Sequence, residues 1–256
     1  MAARVAWLNV APIRGTALTA RDEIRLETWG VVENRRFYLV DTNGRRFTLT
    51  RSGVLARAEA AYDPETERLT VRFDGDGTID GTIELGDAIE TDFYGPRRVT
   101  GRVVVGPWAD AFSQLAGRRL RLVKLDRPGQ AHVPGTAASL VSEESLAELA
   151  RHAGAERVDG RRFRMLIGLE GVERPHAEDD LVGRRFRVGE ALLEGTDFDA
   201  RCMIPTRNPD TGEVDLDTLR LIKEYRGLRE GDVDFGIYAA VIEPGRVRVG
   251  DPVASI

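Results

Sequence analysis

Cysteine occurs once in this 256-residue chain, as Cys202. That excludes an internal disulfide framework, an all-cysteine zinc site and an iron–sulfur cluster, which takes about four thiolates. Histidine is nearly as scarce. His132, His152 and His176 are scattered and show no HExxH spacing, so a His-rich metal site is not expected. Apolar runs stay well short of the roughly 20 residues of a membrane-spanning helix, so no membrane partner is expected. The opening MAARVAWLNVAPIRG lacks an apolar core followed by a small-residue cleavage site, which predicts no signal peptide and a cytoplasmic location. A basic excess is also missing: 37 Lys and Arg against 42 Asp and Glu leave a net charge of −5, which argues against a nucleic-acid polymer as partner. There is no GxSxG elbow, and the Gly-rich DGDG at 74–77 lacks the Lys-Ser/Thr of a phosphate loop, so it reads as a turn.

Arginine, by contrast, is abundant, and among the basic residues only Lys124 and Lys223 are lysine. Any anion site here will therefore be built from guanidinium groups, which grip phosphate or carboxylate in a bidentate fork.

The first half reads as short strands: Val5–Val10, Arg35–Asp41, Arg45–Thr50, Glu67–Phe73, Arg97–Val105 and Arg118–Leu125. Asn43-Gly44 between two of them is a strong hairpin signal, because both residues tolerate positive φ. Strands at this spacing predict a small barrel or sandwich. A helix is expected over Trp108–Leu115, stopping at Gly117. The Pro- and Gly-bearing stretch Asp126–Gly135 is the candidate linker, dividing a first domain, 1–125, from a second, 126–256.

The second half opens with a helix capped by Ser142, with Glu143 and Glu144 at its positive end, an apolar face of Leu146, Leu149 and Ala150, and Gly154 as its stop. Strands are expected at Arg161–Leu169, Arg184–Val188 and Ala191–Glu194. A short helix is expected over Thr218–Arg226, with Leu219 and Ile222 facing inward. Phe235–Ile242 and Arg246–Val249, joined by Glu243-Pro244-Gly245, predict a closing hairpin. The class is mostly β with a few helices (α+β).

The stretch DARCMIPTRNPDTG, 199–212, concentrates the chemistry. Asn208-Pro209-Asp210-Thr211-Gly212 is a strong turn. A thiolate beside Arg201 would be favoured in its anionic form, which makes it a nucleophile or a soft-metal ligand. The competing reading is that Cys202 is a small buried hydrophobe. Asp197 and Asp199 form a possible carboxylate pair, although two loop acids are more often solvated. His176, in an acidic loop, is expected to be exposed.

ARCMIPTRNPDTG (200–212), followed by LRLIKEYRG (219–227), FGIYAAV (235–241) and VRVGDPV (247–253), resembles the C-terminal part of MOSC-domain proteins, named for the molybdenum cofactor sulfurase C-terminal domain. VAWLNVAPIRG (5–15) and RRFYLVDTNGRRFTLTR (35–51) are similar to the β-barrel domain that precedes MOSC in the amidoxime-reducing components and their bacterial relatives, and SLVSEESLAELA (139–150) matches the family's helix. The resemblance implies an N-terminal β-barrel-like domain followed by a β-rich MOSC domain, with a molybdenum cofactor (Mo-molybdopterin) between them. It implies Cys202 as metal ligand and catalytic residue. Arg14, Arg36, Thr136, Arg164 and Tyr238 would hold the cofactor, joined by Ala200 and Arg201 mainly through backbone. The implied activity is reduction of N-hydroxylated compounds (amidoximes, hydroxylamines, N-hydroxylated bases), with electrons from a separate ferredoxin, flavin or cytochrome-type reductase and with Asp197 or Asp199 as possible proton relay. The implied alternative is a carrier of cofactor or of sulfur on Cys202. Departures from the family pattern fall at Gly15, at Pro134-Gly135 and at Met165-Leu166.

Overall fold

The computed structural model describes residues 3–75, 77–94 and 97–255; Asp76 of the expected 74–77 turn lies outside them. Mostly β architecture is observed, with three α-helices among the described residues: α1 (Trp108–Ala116), α2 (Glu143–Ala153) and α3 (Thr218–Arg226). Each ends where a glycine follows. Gly117 and Gly154 both take φ 62°, the left-handed conformation that costs glycine least. Ser142 caps α2 as expected, its hydroxyl accepting from the Ser145 amide.

The central element is an eight-stranded sheet. Its order is Val253–Ser255, Arg185–Val188, Ala191–Ala200, Asp234–Glu243, Ala138–Ser142, Ile167–Glu170, Arg4–Val10 and Thr19–Arg21. The strand Arg4–Val10 thus sits among strands of the second half, pairing antiparallel with Ile167–Glu170. Its apolar face (Val5, Leu8, Val10) joins Ile167, Ile237 and Ala239 in one core. The first half otherwise forms a five-stranded sheet (Arg46–Phe47, Phe37–Asp41, Leu120–Leu125, Arg97–Val105, Glu84–Tyr94) and a three-stranded one (Ala58–Asp63, Arg68–Phe73, Gly77–Thr82). Neither sheet closes on itself, because each ends in two edge strands. A second core lies between them, built on Phe37, Leu39, Leu69 and Phe112.

Four local expectations are corrected. Gly245–Arg248 does not form a hairpin with Asp234–Glu243; it pairs with Glu23–Leu26, which buries Val247 and Ile24 together. A Cβ on Gly245 would meet the Ala191 amide nitrogen at 2.5 Å, so the chain turns there against another strand. Arg161–Leu169 is not one strand: a 3-10 turn covers Gly160–Phe163, Arg164 takes φ 57°, and the strand starts at Ile167. On α3 the inward residues are Thr218, Leu221 and Ile222, with Leu219 only half-buried. His176 is half-buried, its Nε2 3.1 Å from the Tyr225 hydroxyl and its Nδ1 accepting from Arg226 at 2.6 Å. The Asn43-Gly44 turn does form as expected. Asp41 Oδ1 accepts from the Asn43 and Arg45 amides at 2.9 Å each, and Gly44 takes φ 73°.

Candidate functional site

A cleft of about 720 Å³ lies where the two halves of the chain meet. Seven of the eight residues expected at a site converge on it: Arg14, Thr136 and Arg164 from separate segments, Ala200, Arg201 and Cys202 from the end of Ala191–Ala200 and its loop, and Tyr238 from the neighbouring strand. Asp197 and Asp199 line it too.

Arg36 does not. It is buried on the other side of the chain, in the field of Tyr62 and Glu67, where burial lowers its pKa. The adjacent Arg35 lines the cleft instead. The reason is local: Arg35 takes φ 55° and the strand begins only at Phe37, so strand alternation cannot be carried back to residues 35 and 36.

Arg164 also adopts a left-handed conformation (φ 57°). Such a backbone costs a non-glycine residue about 1 kcal/mol or more, and strain of this kind gathers at functional sites. Its guanidinium makes no ion pair or hydrogen bond among the described residues. Burial, then the like charges of Arg35 and Arg14, pull its pKa down to about 9. Arginine holds its proton even so. Three guanidiniums, Arg164, Arg35 and Arg14, thus repel one another at a spot that an anion would relieve. Arg35 is tied to the same place, donating to the Arg164 carbonyl at 3.2 Å. The Phe93 ring lies 5.4 Å from the Arg14 guanidinium carbon and 4.4 Å from that of Arg46.

Cys202 is exposed, which excludes the buried-hydrophobe reading. Its loop is held from beneath. Arg201 turns inward to form a buried ion pair with Asp199, donates to the Phe163 carbonyl at 2.6 Å, and lies 5.3 Å over the Phe163 ring. Its side chain is thus committed as a strut, leaving backbone for any ligand. Asp199 and the Tyr238 hydroxyl also act on one another electrostatically. Burial raises the Asp199 carboxyl pKa, against the pull of Arg201 and Tyr238. Burial, and then the Asp199 charge, raise that of Tyr238. Asp197 is exposed and accepts from the Phe198 amide at 2.8 Å.

The candidate linker forms one wall. Thr136 donates to the Val133 carbonyl at 2.8 Å, and Thr196 donates to that of Gly135 at 2.8 Å. His132 in this wall, unassigned from sequence, is kept neutral: burial first, then Arg35, Arg14 and Arg97, lower its pKa to about 3. No charge pattern around His132 marks it in the sequence. Among the described residues no group of three or more His, Cys, Asp and Glu could hold a metal ion alone, and no helix is long and apolar enough to cross a membrane.

Two family models match the chain: the MOSC domain over residues 128–254, and the MOSC N-terminal beta barrel domain over residues 2–98. Similar curated proteins include rat mitochondrial amidoxime reducing component 2, 31% identical over 122 residues, 44% of this chain and 35% of that one. Mouse mitochondrial amidoxime-reducing component 1 is 30% identical over 146 residues, 54% of this chain and 42% of that one. The matched segments span less than half of either relative. Among solved structures, the YUAD protein of Bacillus subtilis aligns over 99% of this chain and 94% of its own at 15% identity, with a TM-score of 0.48.

Proposed function

The chain belongs to the MOSC family, a MOSC domain preceded by the MOSC N-terminal β-barrel domain, and on that premise we propose that it is a molybdenum-cofactor-dependent oxidoreductase reducing N-hydroxylated compounds with electrons from a separate reductase. The observation that carries this reading is one cleft holding an exposed lone thiol, Cys202, and a guanidinium, Arg164, without an acidic partner.

The donor set fits the cofactor. A molybdenum ion already held by a pterin dithiolene and oxo ligands needs one soft thiolate from protein, and Cys202 is a single soft donor on the cleft wall. Arg164 and Arg35, with Arg14 beside them, offer fork-shaped donors to the cofactor's phosphate. When bound, the cofactor would supply two-electron exchange. The rest belongs to the chain. Arg201, fixed by Asp199 and the Phe163 carbonyl, sets the direction of the Cys202 loop. Reducing an N–OH bond takes up two electrons and two protons and releases one water. Tyr238, on the cleft and in the field of the buried Asp199, would pass a proton from its hydroxyl, with that carboxyl as the group that returns one. One thiol cannot ligate an iron–sulfur cluster, and in this reading a ferredoxin, flavin or cytochrome-type partner would supply the electrons.

The exposure of Cys202 also suits a carrier that hands cofactor or sulfur to another protein. Molybdenum content, measured for wild type beside Cys202→Ala from a host that makes the cofactor, tests the shared premise. Near one metal per wild-type chain, lost in a folded mutant, supports it; equal content sinks the ligand assignment. Turnover of benzamidoxime with an artificial reductant then separates reductase from carrier.

A further inference from the structure

A second concavity, of about 440 Å³, opens beside the strand Arg4–Val10 and shares no lining residue with the cleft. Strand alternation turns Leu8 and Val10 into the core and Trp7 and Asn9 to the other face. Both of the latter line the concavity, together with Arg157, Asp159, Gly160 and Arg161. Small residues make the room: Gly168 lies opposite Trp7, and Ala20 lies opposite Asn9. A Cβ on Gly168 would fall 2.1–2.4 Å from Cε2, Cδ2 and Nε1 of Trp7, so the indole lies directly over that glycine. Its Nε1 donates to Glu143 at 2.6 Å, which fixes the ring.

Asn9 is out of place in such a strand. Asparagine is depleted there, and a buried side-chain amide left without partners is destabilising. Asn9 is only 8% exposed. Its backbone amide donates to the Leu166 carbonyl at 2.9 Å, but its side-chain amide makes no hydrogen bond among the described residues and is left to the concavity. The charges beside it cancel. Arg161 pairs with Asp159 at 2.6 Å and with Asp210 at 2.8 Å. Arg157 is exposed, makes no ion pair among the described residues, and lies in the field of Asp159. Two guanidiniums are thus matched by two carboxylates.

We propose that this concavity binds a small, neutral, planar heterocycle with an amide-like edge, its ring lying against Trp7 and its adjacent donor and acceptor paired to the Asn9 amide. A side-chain amide offers an acceptor and two donors in one plane. A ligand that presents a donor beside an acceptor, as a ring carboxamide, a lactam or an amino-azine does, satisfies it in two hydrogen bonds. The indole supplies the flat apolar surface that such a ring covers. The matched charges exert no net pull on an anion, and the volume is that of a small-molecule site. Nicotinamide and adenine are the plainest compounds of this class. The site lies apart from Cys202 and does not depend on the reductase reading.

The test is titration of the protein purified from a cofactor-making host with nicotinamide and with adenine. Calorimetry gives the affinity, and the indole N–H signal of Trp7, assigned by its loss in Trp7→Phe, gives the place. At least one compound should bind with a millimolar or tighter constant and shift that signal. The analogues without the N–H donor, methyl nicotinate for nicotinamide and purine for adenine, should bind about tenfold more weakly. Asn9→Leu removes an amide that has no partner, so this variant should be at least as stable as wild type while losing the difference between compound and analogue. Trp7→Leu should weaken compound and analogue alike. No binding of either compound overturns the proposal, as does equal affinity for each compound and its analogue in wild type. Binding that survives Asn9→Leu but is lost in Arg164→Met would put the compound in the cleft and also overturns it. So does an Asn9→Leu variant much less stable than wild type, which would give the amide a structural role.

Discussion

Gly53 and Gly212 touch backbone to backbone across the two halves of the chain: a Cβ on Gly53 would sit 1.8 Å from the Gly212 carbonyl oxygen, and one on Gly212 would sit 1.9 Å from that of Gly53. The turn that follows the Cys202 loop is seated there. It is laced by Arg161 to Asp210 at 2.8 Å, Arg162 to Asp215 at 2.7 Å and Arg207 to the Gly212 carbonyl at 2.8 Å.

Gly53→Ala is therefore expected to push the turn off its seat, at a cost of about 1–3 kcal/mol as for other overpacked sites. Gly212→Ala should cost about 1 kcal/mol more, because Gly212 also takes φ 75°. Denaturant unfolding of both variants measures this; two variants as stable as wild type would refute the seat.

Arg164→Met keeps the aliphatic stem and removes a charge that has no acidic partner. The cofactor-free protein should be no less stable than wild type, since repulsion from Arg35 and Arg14 is relieved. Affinity for the cofactor should fall about ten- to hundredfold, the worth of one charge-assisted hydrogen bond. Paired thermal unfolding and molybdenum content check both halves.

Asp199→Ala should behave in the opposite way. It strands Arg201, whose side chain is only 7% exposed, and breaking one partner of such a pair costs about 3–5 kcal/mol. Cofactor-free and loaded protein should both lose stability, and the rate of Cys202 alkylation should change as its loop loosens. An unchanged unfolding midpoint would contradict the strut.

The acid limb of stability should carry a histidine signature. His132, with its pKa near 3 in the fold and an ordinary value of 6.5 when unfolded, binds its proton only in the unfolded chain over that interval. Stability from this group is complete above pH 6.5 and declines as pH falls from there toward 3. His176, lowered to about 4 by burial and Arg226, acts in the same direction. Urea unfolding at about pH 7.5, 6 and 5 should show the decline, and His132→Gln should flatten it.

Much of this was legible beforehand because it depends on local chemistry. Ser142 and Gly154 delimit α2, Asn43-Gly44 makes its hairpin, and the 208–212 turn forms where Asn, Pro and Gly dictate it. The failures are of another kind. Nothing local to Gly245–Arg248 says that its partner lies at the far end of the chain, at Glu23–Leu26. Arg35 and Arg36 are chemically alike, so only the backbone conformation of Arg35 decides which of them faces the cleft. His132 gains its environment from arginines that converge only in the folded chain.

The strand Arg4–Val10 has one local neighbour, Thr19–Arg21, and is otherwise satisfied from far along the chain: by Ile167–Glu170, and by backbone hydrogen bonds from the Val5 amide to the Asp251 carbonyl (2.9 Å) and from the Gly250 amide to the Val5 carbonyl (2.8 Å). On the ribosome, then, this strand is made long before its partners, leaving Val5, Leu8 and Val10 without their core until those later segments emerge. The same pairing places residues 5 and 250 side by side, so linking Val5 to Gly250 and opening the chain at the exposed Thr42–Asn43 tip should give a permuted chain that folds in a different order to the same cleft.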